Sequence, residues 1–186
     1  MKINFKKWIT VLSICCFLAT GLFSQTLTQD DLIKTADELI EADLNGNGNE
    51  AYVNQIGIKN TVSIVQDQQG TSSENLIKVL QVGKRNVAAV NQAGILNQTV
   101  VLQNGNRNEY TLNLEGSENT FVIKQEGRRN VINQNLTNTS NTYIELIQQG
   151  NDNEITHTQD GLTEKEIIVR QVGDNMSVQV IQSNNN

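Results

Sequence analysis

An eleven-residue spacing of asparagine, glutamine and glycine recurs along most of this chain and constrains its fold more than any other feature. Each unit begins with Asn, has Gln six residues later and Gly eight residues later, and is followed by the next Asn. Asn75, Gln81 and Gly83 form one such unit, and twelve units fit between residues 49 and 186. A short repeat of this kind predicts a solenoid, in which successive turns of the chain stack on one another.

Within a unit, apolar and polar residues alternate with the period of a β-strand. Ile77 and Val79 share one face with Asn75 and Gln81, whereas Lys78 lies on the other. Each unit is therefore predicted to be a strand of about six or seven residues, roughly 20 Å long. The predicted fold is an all-β solenoid (β-helix) of about six two-strand coils, preceded by a short N-terminal helix. Six coils spaced about 4.8 Å apart would be roughly 29 Å tall.

Some units depart from the pattern. Leu114 and Leu136 replace Gln, and Asn138 replaces Gly, in units that keep their length, whereas the unit at Asn141 is one residue longer. The unit at Asn60 has extra residues around 70–74. The last two units shift register, and their predicted inward residues are Lys165, Ile167, Val169, Gln171, Met176, Val178, Val180 and Gln182.

Side-chain amides are abundant, with 26 Asn and 18 Gln among 186 residues. A buried amide without a partner is costly. Stacked on the same amide one coil away, it can both donate and accept, which predicts amide ladders along the solenoid axis. The chain has no Pro, as expected where every strand must donate to the next coil. The predicted ladder residues are Asn49, Gln55, Asn60, Gln66, Asn75, Gln81, Asn86, Gln92, Asn97, Gln103, Asn108, Asn119, Gln125, Asn130, Asn153 and Gln159.

The turns that follow the strands carry two predicted sets of residues. Glycines supply the positive φ that a tight turn needs, and they are Gly57, Gly83, Gly94, Gly105, Gly116, Gly127, Gly150, Gly161 and Gly173. A basic ribbon is predicted along one edge, formed by Lys59, Lys84, Arg85, Arg107, Arg128 and Arg129. Such a ribbon could dock an anionic polysaccharide, extracellular DNA or an acidic partner subunit. Alternatively, these charges could slow premature aggregation, or they could form a solvent-exposed edge that has no binding role.

The N-terminal residues have the pattern of an export signal. Lys2, Lys6 and Lys7 precede an apolar run over 8–23, which predicts a signal peptide over 1–24. Cys15 and Cys16 both lie inside it, and a lipoprotein signal ending at Cys15 is a weaker alternative because Ile14 fits poorly. Cleavage after Ser24 would leave 11 basic against 20 acidic residues, a net charge of −9.

Residues 25–48 are predicted to be a targeting or linker segment, followed by the repeat domain over 49–186. A capping sequence at 28–31 precedes apolar residues at helical spacing: Leu32, Ile33, Ala36, Leu39, Ile40 and Leu44. This helix offers a cover for the solenoid end. Asp43, Asn45 and Asn47 resemble the start of a calcium loop, but Asn54 stands where a bidentate Glu is needed, so the Gly/Asn stretch is interpreted as a linker.

Catalysis and metal binding are not expected. The chain has one His, His157, at an inward strand position, and it lacks paired inward carboxylates. An enzyme on a β-helix scaffold is therefore disfavoured, and neither catalytic residues, metal ligands nor cofactors are predicted. Calcium β-rolls and ice-binding solenoids need glycine–aspartate repeats or outward Thr rows that are missing. A capped, monomeric solenoid adhesin remains an alternative.

The paired units resemble curlin repeats, the building units of curli, which are amyloid fibres of Gram-negative biofilms. The resemblance rests on Gln-x-Gly-x-x-Asn, seen at 81–86, 103–108 and 125–130, and covers about residues 49–186. It implies a secreted subunit that polymerises as a stacked β-solenoid, with the ladder residues mediating polymerisation, into an extracellular, cell-surface fibre that serves adhesion and biofilm formation. It further implies other curlin subunits and a dedicated outer-membrane secretion pore as partners. The atypical final repeat resembles a minor, nucleating subunit more than a major one, and the major subunit is the alternative.

Overall fold

The structure is a computed structural model that describes residues 10–13, 48–67 and 74–183. The predicted helix and calcium-like loop lie mostly or wholly outside these ranges. The described residues contain thirteen strands: β1 (Thr10–Ser13), β2 (Glu50–Ile58), β3 (Thr61–Asp67), β4 (Leu76–Lys84), β5 (Val87–Ile95), β6 (Gln98–Asn106), β7 (Glu109–Ser117), β8 (Thr120–Arg128), β9 (Val131–Ser140), β10 (Tyr143–Asn151), β11 (Glu154–Asp160), β12 (Glu166–Val172) and β13 (Ser177–Ser183).

The strands form two parallel sheets, which confirms the predicted solenoid of six two-strand coils. Sheet A has the order β1-β2-β4-β6-β8-β10-β12, and sheet B the order β13-β11-β9-β7-β5-β3. Each strand from β2 to β13 therefore pairs with strands one coil before or after it, so equivalent repeat positions stack in columns. The sequence did not predict β1, which pairs in parallel with β2 and lies within the predicted signal peptide.

The core lies between the two sheets and consists of the predicted inward aliphatic positions. Ile77, Val101 and Ile123 from sheet A face Val90 and Leu112 from sheet B, and all are buried. A fully buried aliphatic side chain contributes about 1.5–3 kcal/mol. Because each strand supplies only two such residues, the core is narrow and depends on the stacking of coils.

A bulge in β9 corrects two predictions about the irregular units. Gly116 pairs with Thr139, because the register shifts after Leu114. Asn138 is therefore an exposed, inserted residue with a φ of 52° and does not replace a glycine. The backbone N–H of Thr142 donates to Asn119 Oδ1 at 3.1 Å, so Thr142 takes the place predicted for Asn141.

The last coil has the predicted register, with one exception. Ile167 stacks on Ile144 and Gln171 on Gln148, and both residues of β12 are buried. Lys165, by contrast, is exposed, so its prediction as an inward residue was wrong. Its backbone carbonyl still accepts from the N–H of Tyr143 at 2.8 Å, which keeps the ladder continuous.

Candidate functional site

The glutamines of sheet A form one continuous amide ladder through all six coils. Gln55 Nε2 donates to Gln81 Oε1 at 2.7 Å, and Gln81 Nε2 donates to Gln103 Oε1 at 2.7 Å. The same direction continues through Gln125, Gln148 and Gln171 at 2.8, 3.0 and 2.9 Å. Gln148 and Gln171 extend the set of predicted ladder residues. Each amide thus compensates the burial of the next, and the ladder has a fixed polarity.

The repeat asparagines link neighbouring coils through predicted amide–amide bonds, such as Asn119 Nδ2 to Asn97 Oδ1 at 3.0 Å, and also through bonds to the main chain. The backbone N–H of Asn97 donates to Asn75 Oδ1 at 3.0 Å, while Asn97 Nδ2 donates to the carbonyl of Gly116 at 2.9 Å. The same pattern recurs on the opposite edge, where Asn108 Nδ2 donates to the Gly127 carbonyl at 3.2 Å. The asparagine and the glycine of the repeat are therefore parts of one hydrogen-bonded unit. The predicted asparagines that take part are Asn49, Asn60, Asn75, Asn86, Asn97, Asn108, Asn119, Asn130 and Asn153.

The glutamines of sheet B do not form the predicted ladder. Gln66 and Gln92 are in register, but Gln66 Nε2 donates to the carbonyl of Asn75 and Gln92 Nε2 to that of Asn97. Thr99, an inward residue of sheet A, donates to Gln92 Oε1 at 3.0 Å and takes the place of an amide donor. The two leucines that follow in this column interrupt it further. Both amide atoms of the buried Gln159 have no hydrogen-bond partner among the described residues.

The turn glycines are required by two separate constraints. Gly105 has a φ of +122°, and a Cβ added to it would lie 1.9 Å from the carbonyl oxygen of Gly127 one coil away. Gly57, Gly83, Gly94, Gly127 and Gly150 share both features. Gly116 lacks a positive φ but is just as tightly packed, against the Thr139 carbonyl. The expectation that every turn glycine needs a positive φ was therefore wrong at Gly116.

The predicted basic residues lie in two adjacent columns on one edge of the solenoid. Lys59, Arg85, Arg107 and Arg129 occupy one column, and each has a φ between 55° and 60°. Lys84 and Arg128 lie in the neighbouring column, where their carbonyls accept from Arg107 and Asp152 N–H groups. All six are exposed. Nothing in the sequence indicated the left-handed conformation, because Lys and Arg have no special preference for it.

The basic columns end at an acidic pair of turns. Arg129 Nη2 donates to Asp152 Oδ2 at 2.6 Å, and this ion pair lowers the pKa of Asp152 and raises that of Arg129. One coil further, Asp174 Oδ1 accepts from the backbone N–H of Asn151 at 2.7 Å. The column is therefore basic over four coils and neutral or acidic over the last two, which makes the edge polar along the axis.

A buried polar chain lies inside sheet B. The hydroxyl of Tyr110 donates to Gln134 Oε1 at 2.8 Å, and Gln134 Nε2 lies 3.3 Å from Nδ1 of His157. Burial lowers the pKa of His157 to about 4, although the nearby Gln159 amide partly opposes this effect. Nε2 of His157 has no hydrogen-bond partner among the described residues, so this inward histidine is a core residue with one unsatisfied ring nitrogen.

The C-terminal coil ends the described solenoid without a cover. Val178, Val180 and Gln182 point inward from β13 but are only half-buried, and Gln182 Oε1 has no hydrogen-bond partner among the described residues. On β12, Gln171 Nε2 donates to the Glu154 carbonyl at 3.0 Å, whereas the equivalent Gln125 also donates to the next coil. Within residues 74–183, no strand pairs with the outer side of β12 or β13.

Comparisons with known proteins give no assignment. No protein-family model matches the chain, and no curated protein is similar to it at a significant level. Among the described residues, no group of His, Cys, Asp and Glu could hold a metal ion. A search of the same residues for a helix long and apolar enough to cross a membrane found none.

Proposed function

We propose that this chain is a secreted, curlin-like subunit that polymerises into extracellular amyloid fibres by stacking its coils end to end. The observation that carries the proposal is the open edge of the C-terminal coil. Each inner coil has its strand edges and its sheet A glutamine paired on both sides, whereas the last coil is paired on one side only. An open strand edge with a repeating register is a template for another chain.

The two ends are complementary in register. Stacking of β12 on β2 of a second subunit would place Gln171 over Gln55, and Val169 over Val53. The polarity of the ladder continues across this junction, because Gln171 would donate through Nε2 and Gln55 would accept through Oε1. On sheet B, the half-buried Val180 would cover Ile64. The junction would thus repeat the contacts made within each subunit.

Removal of the predicted signal peptide would free the other end. β1 pairs with β2 on the side where the preceding subunit would stack. Since β1 lies within residues 1–24, the unprocessed chain would have this edge of sheet A occupied. Export and cleavage would therefore unblock polymerisation, and purified 1–186 should assemble more slowly than 25–186.

The decisive experiment is incubation of purified 25–186 with thioflavin T. Fibres that form after a lag and diffract with a meridional spacing of about 4.8 Å are expected. Val180→Lys would bury a charge at the junction and should block elongation. Ile181→Lys is the matched control, because Ile181 lies next to Val180 but points outward and is 66% exposed. A stable monomer of 25–186 would instead favour the monomeric adhesin.

The basic ribbon supports a second role for the assembled fibre, namely binding of anionic polysaccharide or extracellular DNA. Stacked subunits would repeat the ribbon along the fibre, with Arg129 partly neutralised by Asp152. Replacing all six basic residues by Gln should abolish salt-sensitive binding to an anionic polymer such as alginate. Unchanged binding would contradict this role and indicate that the basic ribbon is only a solvent-exposed edge.

A minor, nucleating subunit is the more specific form of the proposal. The supporting features are the missing Asn at Lys165 and Met176 and the mixed charges of the last turns. Trace amounts of 25–186 should shorten the lag of a major curlin, whereas a major subunit would form the bulk of the fibre. Passage through an outer-membrane curli pore of a Gram-negative cell, guided by residues 25–48, belongs to the same proposal.

A further inference from the structure

Four buried polar atoms near the open end of sheet B lack hydrogen-bond partners among the described residues. They are Nε2 of His157, Nε2 and Oε1 of Gln159, and Oε1 of Gln182. The side chains of His157 and Gln159 have no exposed surface at all. Because an unpaired buried polar group is destabilising, a cluster of four in the adjacent strands β11 and β13 needs an explanation.

Two of these atoms complement each other on β11. Nδ1 of His157 lies 3.3 Å from Gln134 Nε2, which can only donate, so the neutral ring accepts at Nδ1 and carries its proton on Nε2. Gln159 lies two residues further along the same inward face. Burial lowers the pKa of His157, and the Gln159 amide opposes this effect, as an oxygen acceptor near the ring does. Gln159 Oε1 is therefore the natural acceptor for His157 Nε2–H.

The other two atoms complement each other across one coil step. Gln182 is in register with Gln159. A bond from Gln159 Nε2 to Gln182 Oε1 would have the polarity of the sheet A ladder, in which Gln81 Nε2 donates to Gln103 Oε1. The buried polar chain that begins at the Tyr110 hydroxyl would then continue to the open end of sheet B. It would stop at Gln182 Nε2, for which no described residue is an acceptor.

We propose that Gln66 of a second copy of this chain supplies the missing acceptor, so that end-to-end assembly completes the buried polar chain and fixes the C-terminal coil. The inference rests on the proposed function, in which β13 stacks on β3 of the next subunit. Gln66 Nε2 already donates to the carbonyls of Glu50 and Asn75 at 3.2 and 3.0 Å. No described residue donates to Gln66 Oε1, which is the atom that Gln182 Nε2 would reach.

The order of residues in this column of sheet B supports the same partner. In stacked subunits, four glutamines would meet at each junction, while two leucines would lie in the middle of each subunit. Sheet A differs, because its glutamine ladder has no interruption. The amides of this column are thus concentrated where two subunits would meet. From the first coil to the last, the column consists of Gln66, Gln92, Leu114, Leu136, Gln159 and Gln182.

The asparagine columns cannot supply this contact. The N–H of Met176 donates to Asn153 Oδ1 at 3.0 Å, but methionine has no Oδ1 to offer to Asn60 of the next subunit. The other asparagine column ends in the same way, at Lys165. The inward side-chain hydrogen bonds between subunits therefore depend on the glutamines.

Seeded elongation of 25–186 tests the contact between Gln182 and Gln66. Each single change to Leu, used in both seed and monomer, should slow elongation about tenfold, because one amide at the junction loses its partner. The double variant should elongate faster than either single variant, because two leucines can pack as Leu114 and Leu136 do. Gln179→Leu is the matched control, since Gln179 lies on the same strand but is exposed, and it should keep the wild-type rate.

The single histidine gives a second readout that needs no substitution. With ring-¹⁵N-labelled histidine, NMR of 25–186 reports on His157 alone, because the chain has only one His. We expect the proton on Nε2 in both the soluble protein and the fibre. Its exchange with solvent should be several-fold slower in the fibre, where Gln182 would hold Gln159 in place as the acceptor.

The outcomes separate this inference from the proposed function. Fibres that elongate at the wild-type rate in both single variants would overturn the inference and leave polymerisation intact. A proton on Nδ1, or Nε2–H exchange that is equally fast in soluble protein and fibre, would overturn it as well, the latter because water would then satisfy the ring. A wild-type 25–186 that forms no fibres would overturn the proposed function and this inference together.

Discussion

At the residue scale, the glycines of this chain distinguish two costs of adding a side chain: an unfavourable φ and a clash with the backbone one coil away. Gly105→Ala should lower the free energy of unfolding by roughly 2–4 kcal/mol, because the new Cβ meets both an unfavourable φ and a carbonyl one coil away. Gly48 has a φ of +133°, but a Cβ added to it would have no other atom within 4 Å, so Gly48→Ala should cost only about 1 kcal/mol. Denaturant unfolding of the soluble chain measures both, and equal losses would contradict the argument from close approach.

His157 predicts a pH dependence at the same scale. Its pKa falls from 6.5 in the unfolded chain to about 4 in the folded one, so folding favours the neutral imidazole. As the pH falls below 6.5, the unfolded chain binds a proton at this imidazole, whereas the folded chain does not until the pH approaches 4. The free energy of unfolding should therefore be unaffected by His157 above pH 6.5 and fall by about 3 kcal/mol between pH 6.5 and 4.

The difference between the wild type and His157→Gln isolates this effect, because carboxylates also titrate in this range. Gln keeps an acceptor for Gln134. The variant should lose less stability than the wild type between pH 6.5 and 4, as measured by denaturant unfolding at each pH. Parallel curves for the two proteins would show that the imidazole is not the group responsible.

At the element scale, the glutamine ladder couples each strand of sheet A to its neighbours. Gln103→Leu would leave Gln125 Oε1 without its ladder donor and remove the Oε1 to which Gln81 donates, at a cost of about 1–3 kcal/mol. Gln81→Leu together with Gln103→Leu should cost less than the sum of the single changes, because the two leucines would pack as Leu114 and Leu136 do in sheet B.

The matched control for this cycle is Gln81→Leu with Gln148→Leu. These residues are three coils apart and share no partner, so their costs should add. Denaturation midpoints of the single and double variants provide the comparison. Additivity in the adjacent pair would mean that the ladder is a row of independent amides.

At the scale of the whole molecule, the coil of 22 residues, and not the eleven-residue repeat, is the structural unit. Deleting 98–119 joins Asn97 to Thr120 and keeps every later strand in its own sheet, with Gln81 beneath Gln125. Deleting 98–108 removes half as many residues but transfers every later strand to the opposite sheet. We therefore expect the 22-residue deletion to be better tolerated.

Circular dichroism and denaturant unfolding of the two deletions test this expectation. The larger deletion should retain a cooperative transition, while the smaller one should lose stability or fail to fold. The control removes 120–130 in addition to 98–108, which returns β9 and every later strand to its own sheet and should restore part of the stability. A 98–108 deletion more stable than the 98–119 deletion would show that the two sheets are interchangeable.

The sequence alone determined the solenoid, its six coils and most of its inward residues, because period-two alternation and an eleven-residue repeat leave few other arrangements. It also located the amides, glycines and basic turn residues, since equivalent repeat positions must stack in columns. The inward position of His157 followed from the same alternation.

Only the tertiary structure decided how these residues bond. The Asn side chains also bond to the main chain of neighbouring coils, and Thr99 of sheet A donates to Gln92 of sheet B, because these contacts depend on distances between coils and between sheets that no local pattern encodes. The bulge at Asn138 and the left-handed conformation of the turn Arg residues were not predicted either, because the pattern of residue types in the repeat encodes neither the register shift nor these φ angles.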